Sequence, residues 1–422
     1  MKKLLILSYY FPPLGMGGTQ RAAKFAKYLP HFNWQPTVIT VKPIAYWTED
    51  LSALDELESV RIIRTESWDP QRLLVRVGSR LKAGNVAGKG SLSFVNQRIL
   101  SFFLVPDSKL LWTYHVLRAV KRLTAQEHFD AVLTTSPPHS VHLIGEKIAR
   151  RYGMPWITDF RDAWSDSQVV HEPTWLQKRI NSRLQARVLA KADAVIAVTR
   201  GIAERFAKSV PVCNRVHYIP NGFDPADYPQ PGTKKADRFM FCHSGSITRF
   251  SYPDILLKAL ADLKVKRPDL AAGINLTFVG RDMTGDLAAM IHGLGLHDHV
   301  MFVGHKPHKE AMQYLVDADA LVLIARGKPT DTFIPGKTYE YIGSCKPILA
   351  ITSVPDTRTL LQEWPLAVLS GTKETEIADA IVKMVHGSFP NKKAANPDRY
   401  NRRYQTQQLA EVLNSVTAQR TG

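Results

Sequence analysis

The chain has 422 residues, room for two full domains, because a single hydrophobic core stops growing at roughly 250–300 residues. Hydrophobic residues make up 45% of it, its three cysteines are widely spaced, and 55 basic against 38 acidic side chains leave a net charge of +17. That composition excludes a disulfide framework, a cysteine metal knuckle and a bilayer-spanning helix of ~18 apolar residues, and it favours polyanions: phosphorylated ligands, anionic lipid or nucleic acid.

The first residues, MKKLLILSYYFPP, combine a short apolar run with two prolines and no small-residue cleavage site, so they read as a first buried strand rather than a secretion signal. Apolar strand patterns then alternate with helical ones, the mark of parallel α/β sheets. Strands are expected at 3–8, 36–41, 60–65, 130–135, 155–160, 192–199 and 215–220. Residues 221–237, with three prolines and two glycines, read as a linker. The pattern restarts with strands at 238–245, 274–280, 299–305, 318–325, 347–351 and 366–370. A last helix, from about 400, has no strand after it and is expected to pack back on the first domain. The expected domains are therefore 1–220, a linker 221–237, a second α/β unit 238–399, and a C-terminal helix 400–422.

Parallel sheets bind ligands beyond the carboxyl ends of their strands, so the loops that follow strands carry the candidates. After the first strand, Gly15, Gly17 and Gly18 precede a helix and either let backbone approach a ligand or only make a tight turn. They do not fit the G-x-G-x-x-G dinucleotide fingerprint. His139 follows the strand at 130–135 and suits a neutral hydrogen-bonding or proton-handling role near pH 7. Asp159, Arg161 and Asp162 in TDFRDAW form either a salt-bridged lip or an acceptor-binding group. In the second half, Gly245 and Arg249 in HSGSITR suggest a diphosphate clamp, while Gly280 and Gly304 close two further strands. The segment IPGKTYEY sets Lys337 at a helix start, with Glu340 one turn inside. It is either an ordinary loop–helix–strand joint or a site for a nucleotide's diphosphate and ribose. The convergence of Gly245, Arg249, Gly280, Gly304, Lys337 and Glu340 on the strand ends of one sheet favours the nucleotide.

These residues resemble the retaining glycosyltransferases of family 4, in the form found in bacterial polysaccharide and lipid-linked sugar transferases. The resemblance runs through the GG turn, DFRDAW, ADAVIAVT, NGFD, SGSITR, FVG and YEYIGSCKPILAI. It implies the GT-B fold, two Rossmann-like parallel-sheet domains facing each other across a cleft that closes to exclude water. It also implies a UDP- or GDP-sugar co-substrate in the second domain, an acceptor in the first, and no further cofactor. Glu340 matches the glutamate that binds the ribose, Arg249 and Lys337 look like diphosphate cations, and amides around Ile334, Gly336 and Lys337 would meet the phosphates. His139 matches a histidine near the reacting sugar. Gly17, Gly18, Asp159, Arg161 and Asp162 fall to the acceptor side. The pattern departs where the family's first glutamate would stand: Thr332 is there, which cannot offer a carboxylate to the donor sugar, and a one-residue slip would let the neighbouring Asp331 do so.

No D-x-D pair is placed to hold a metal, so Arg249 and Lys337 are expected to replace one. A nucleotide-sugar epimerase of the same fold is the first alternative, and a basic nucleic-acid-binding protein the second; no basic–aromatic strand set supports the latter, so nucleic acid is not expected as a partner. Between Arg72 and Thr124 stand ten basic residues (72, 76, 80, 82, 89, 98, 109, 118, 121, 122) and one acid, Asp107. With the apolar run at 99–105 they read as a surface for an anionic membrane. Peripheral attachment to the inner, cytoplasmic face of the plasma membrane, beside a lipid-linked or glycan acceptor, is the expectation.

Overall fold

The computed structural model describes residues 1–15, 17–43, 50–70, 72, 105–165, 174–209, 213–232, 238–328, 331–388 and 396–421. They form two compact units: unit 1 is Met1–Pro220 with Arg402–Gly422, and unit 2 is Asn221–Asn401. The chain passes from the first unit to the second and returns for its final helix.

Unit 1 holds a seven-stranded sheet of β1 (Lys2–Ser8), β2 (Trp34–Val41), β3 (Arg61–Thr65), β4 (Ala131–Ser136), β5 (Trp156–Phe160), β6 (Ala194–Ala197) and β7 (Val216–Tyr218). Its order is β3-β2-β1-β4-β5-β6-β7, parallel throughout. β1, β4, β5 and β6 are buried on both faces, because helices cover both, and β1 and β6 accordingly read as continuous hydrophobic runs. One face buries Leu5, Leu7, Val132, Trp156 and Val195 with the helices Thr113–Thr124 and Ser140–Tyr152. The other buries Leu4, Ile6, Leu133 and Ile196 under the helix Gly17–Tyr28 and under Leu409, Leu413 and Val416 of the terminal helix Arg402–Thr421. Lys2 Nζ donates to Thr417 Oγ1 (2.8 Å) and Trp34 Nε1 to Asn414 Oδ1 (3.2 Å), fixing that helix on the first two strands.

Unit 2 repeats the plan with β8 (Phe239–Ser244), β9 (Ile274–Val279), β10 (Val300–Gly304), β11 (Ala320–Ala325), β12 (Ile348–Thr352) and β13 (Ala367–Ser370), ordered β10-β9-β8-β11-β12-β13 and again parallel. All thirteen expected strands are present. The segment read as a linker is corrected by the structure: its first part is integral to unit 2. Phe223 is buried in the core, Tyr228 Oη donates to the Glu340 carbonyl (2.6 Å), and Gly232 N donates to Asp317 Oδ1 (2.7 Å). Strand order reverses between β1 and β4 in unit 1 and between β8 and β11 in unit 2. Such switch points are where open α/β sheets place their ligands.

Candidate active site

In unit 2 the strand ends meet edge to edge. Gly245 N donates to Val279 O (2.7 Å) and Gly280 N to Gly304 O (2.8 Å), which links the ends of β8, β9 and β10 in one backbone ledge. Gly280 has φ +149°, and a Cβ there would stand 2.2 Å from the Gly245 oxygen, so only glycine fits. Gly245 (φ +112°) is tied to Lys337, because a Cβ on it would lie 2.9 Å from Lys337 Nζ.

Lys337 opens the helix Lys337–Gly343. Its Nζ lies 2.9 Å from Nε2 of His243, and the opposite ring nitrogen, Nδ1, lies 2.9 Å from Val322 O. A carbonyl can only accept, so Nδ1 carries the proton and Nε2 receives the ammonium. Burial first, and Lys337 second, hold His243 well below the usual imidazole pKa, so it is neutral. Burial lowers Lys337 to about 8, opposed by Glu340. The result is a desolvated cation propped under a glycine turn by a neutral acceptor. Tyr341 Oη accepts from Ser244 N (2.8 Å), fixing the same helix to the end of β8.

Around this core, Glu340 is half-buried; its backbone carbonyl is bonded, and its carboxylate makes no hydrogen bond or ion pair among the described residues. Arg249 is exposed, stacks on Phe250 (4.6 Å) and has no acidic partner among the described residues. Ile334 packs on the core and Gly336 is exposed just before the helix. Thr332 is half-buried. The reading of Asp331 as a free carboxylate for a donor sugar is corrected: it is buried, and its Oδ2 accepts from Lys328 N against Gly327, closing its own loop.

Unit 1 divides differently. Asp159, expected on the acceptor side, is fully buried and saturated. Arg21 donates to it from Nε (3.0 Å) and Nη2 (2.9 Å), and Thr135 Oγ1 adds a third bond (2.8 Å). Arg21 also donates to Ile219 O and Pro220 O (2.9 and 2.6 Å), so the pair is a structural anchor and not a ligand group. Arg161 is buried and donates from Nε to Ser136 O (2.7 Å) and from Nη2 to Pro137 O (2.9 Å). Burial raises the Asp162 carboxyl, with Arg161 opposing. His139 is buried, stacks on Trp164 (4.9 Å between ring centres, 6° apart) and leaves both ring nitrogens without a partner. Burial, then Arg161, push it down to about 3. The ring is therefore neutral near pH 7, with one nitrogen to donate and one to accept a hydrogen bond, the first of the two roles expected of it. Gly18, exposed, begins the helix Gly17–Tyr28 with Gly17.

His243 is the residue of the candidate site that the sequence did not disclose. It stands inside a buried strand, and its partner lies 94 residues on. The only signal was a histidine among apolar neighbours two residues before a glycine turn.

The domain family of glycosyl transferase 4-like domains matches residues 17–222, and that of glycosyl transferases group 1 matches 226–404. The chain belongs to the family 4 glycosyltransferases. Its two units are the paired α/β domains of the GT-B fold. A curated relative of this glycosyltransferase is the GDP-mannose-dependent alpha-(1-6)-phosphatidylinositol monomannoside mannosyltransferase of Mycolicibacterium smegmatis, 26% identical over 224 residues. That match spans 50% of this chain and 58% of the relative's length. Among solved structures, HepE of Anabaena in complex with UDP and glucose aligns with a TM-score of 0.66 at 18% identity, over 98% of this chain and 100% of that one. WaaG, a glycosyltransferase involved in lipopolysaccharide biosynthesis, aligns at 0.57 and 14%, over 99% and 98%.

Proposed function

We propose that this glycosyltransferase moves a sugar, with retention of configuration, from a UDP- or GDP-sugar to a hydroxyl of a lipid-linked or polysaccharide acceptor in bacterial cell-surface glycan synthesis. The observation that carries this reading is the Lys337–His243 prop beneath Gly245, with the unpartnered Glu340 carboxylate one turn further along. The backbone ledge of Gly245, Gly280 and Gly304 receives the nucleotide, Glu340 accepts from the ribose hydroxyls, and Lys337 and Arg249 face the diphosphate. The amides of Gly336 and Lys337, at a helix start, add donors.

As the acceptor oxygen bonds to the anomeric carbon, the bond to the diphosphate breaks and negative charge grows on the leaving oxygen. A partly buried ammonium aimed there needs no reorganisation and takes the part a metal would otherwise play. The departing diphosphate receives the acceptor's proton, and His139, neutral and stacked on Trp164, hydrogen-bonds near the reacting sugar. The names of the relatives support the donor class: one uses GDP-mannose and another was solved with UDP. Arg161 and Asp162, with Gly17 and Gly18, are assigned to the acceptor.

For attachment to an anionic membrane, the support is a solvent-facing patch of unit 1. Trp68 and Tyr114 are stacked (4.9 Å, 9°) and about half exposed, beside the exposed Arg118, Lys121 and Arg122. Two of the ten basic residues are not on such a surface: Arg72 is buried against Lys42 O, and Lys109 is buried on Asp69 (2.6 Å). Residues 76, 80, 82, 89 and 98, and the run 99–104, lie outside the described residues. No helix among the described residues is long and apolar enough to cross a membrane.

The test is incubation with UDP- and GDP-sugars, with and without a polyprenyl-linked or phosphatidylinositol acceptor, and the anomeric configuration read by NMR. A retained-configuration glycoside formed only with acceptor is expected. A donor whose own sugar inverts without acceptor would replace this reading with epimerisation.

A further inference from the structure

We infer that unit 1 contains an anion site at Arg161 and that the acceptor presents a phosphate or carboxylate to it. This rests on the acceptor role proposed for unit 1 and adds the acceptor's chemistry. Arg161 is 9% exposed, and two of its guanidinium nitrogens are committed to the carbonyls of Ser136 and Pro137. The third, Nη1, is buried without a partner. It points to the start of the twelve-residue helix Gly17–Tyr28, since a Cβ on Gly18 would lie 3.3 Å from it.

The free guanidinium edge and the helix start both donate. The amides of Gly17 and Gly18, the first two of that helix, have no intrahelical acceptor, and its first turn contains no acidic residue. The neighbouring helix Ser140–Tyr152 differs: its first amide and the Ser140 hydroxyl are bound by Asp107 (2.9 and 2.7 Å). The acids near Arg161 do not bond to Nη1. Asp159 is saturated by Arg21 and Thr135, and Asp162 acts on the guanidinium only through space, with burial favouring its neutral form. Ser136 Oγ, also buried and unpartnered, can turn its proton either way. A cluster of N–H donors with one full positive charge matches a group that only accepts, and a guanidinium edge binds an oxyanion better than a neutral hydroxyl. Gly18 is exposed, so solvent reaches the helix start.

The same chemistry could come from the acceptor or from the donor's diphosphate, and calorimetry on the full-length protein separates them. The protein is first saturated with UDP or GDP and then titrated with inorganic phosphate. Phosphate binding that persists with nucleotide present, drops at least tenfold in Arg161→Gln and survives Lys337→Ala is the expected result. Because Arg161 also braces the 136–137 loop, Gly18→Asp provides a variant that leaves the brace intact. Its carboxylate reaches Nη1, so phosphate binding should vanish and Tm should rise. Phosphate affinity unchanged in both variants, or phosphate binding abolished by nucleotide, overturns the inference. Failure of the donor reading looks different: neither nucleotide binds, whatever phosphate does.

Discussion

The strand ends of the two units carry their chemistry in opposite ways. In unit 2 the ledge is backbone, three glycine turns bonded to one another, and a single cation rises through it on a neutral histidine. In unit 1 the strand ends carry charged side chains, one pair of which is spent holding the fold. A carboxylate beyond a strand end is therefore not itself evidence of a ligand. What separates Asp159 from Glu340 is whether the oxygens are already bonded.

The strongest way to break this contrast is at the Arg21–Asp159 pair. Removing one member of a buried, hydrogen-bonded ion pair leaves the other uncompensated, at a cost of about 3–5 kcal/mol. Asp159→Asn should lose stability of that order in urea unfolding. A stable variant that had lost only acceptor binding would return Asp159 to the acceptor side.

Lys337→Ala should behave oppositely, folding well but lowering kcat by roughly 10²–10³, as removal of one preorganised donor to a developing oxyanion does. A rise in KM alone would mean that Lys337 binds ground state and transition state equally.

The pH dependence sharpens the same point. The ammonium, held down to about 8 by burial, is the active form, so kcat/KM should fall as pH rises through about 8. Bound diphosphate favours the charged form, so the limb in kcat should lie higher. Linkage runs the other way for stability. Between about 8 and the ordinary lysine value of 10.5 the unfolded chain holds a proton that the folded chain has released, so this group's contribution to stability increases with pH there. A flat kcat/KM profile from pH 7 to 9.5 would contradict the role.

The smallest effect concerns the membrane. Charge reversal at Arg118, Lys121 and Arg122 should weaken sedimentation with phosphatidylserine vesicles by roughly 1 kcal/mol per residue at low salt. Equal recovery of wild type and variant would remove this patch from membrane binding.

The fold was legible because parallel strands covered on both faces tend to be continuously apolar, and β1, β11 and β12 advertise this without alternation. The glycine ledge was legible for a similar reason: glycine at a strand end points to backbone needs. Pairings between distant residues were not. Nothing local in TDFRDAW reports that Arg21, 138 residues earlier, takes up Asp159, or that Lys109 and Arg72 are buried within a basic stretch. The prolines of 221–232 suggested a tether, whereas Phe223 and Tyr228 show that a turn-rich segment can still be core.

Unit 2 is proposed to hold the nucleotide of the donor, with Glu340 on its ribose. Isothermal titration of UDP and GDP into wild type and Glu340→Gln tests it most directly. One nucleotide should bind wild type, and the variant, still folded by circular dichroism, should bind it at least tenfold more weakly. The same affinity in both proteins, or no binding of either nucleotide to wild type, would contradict it.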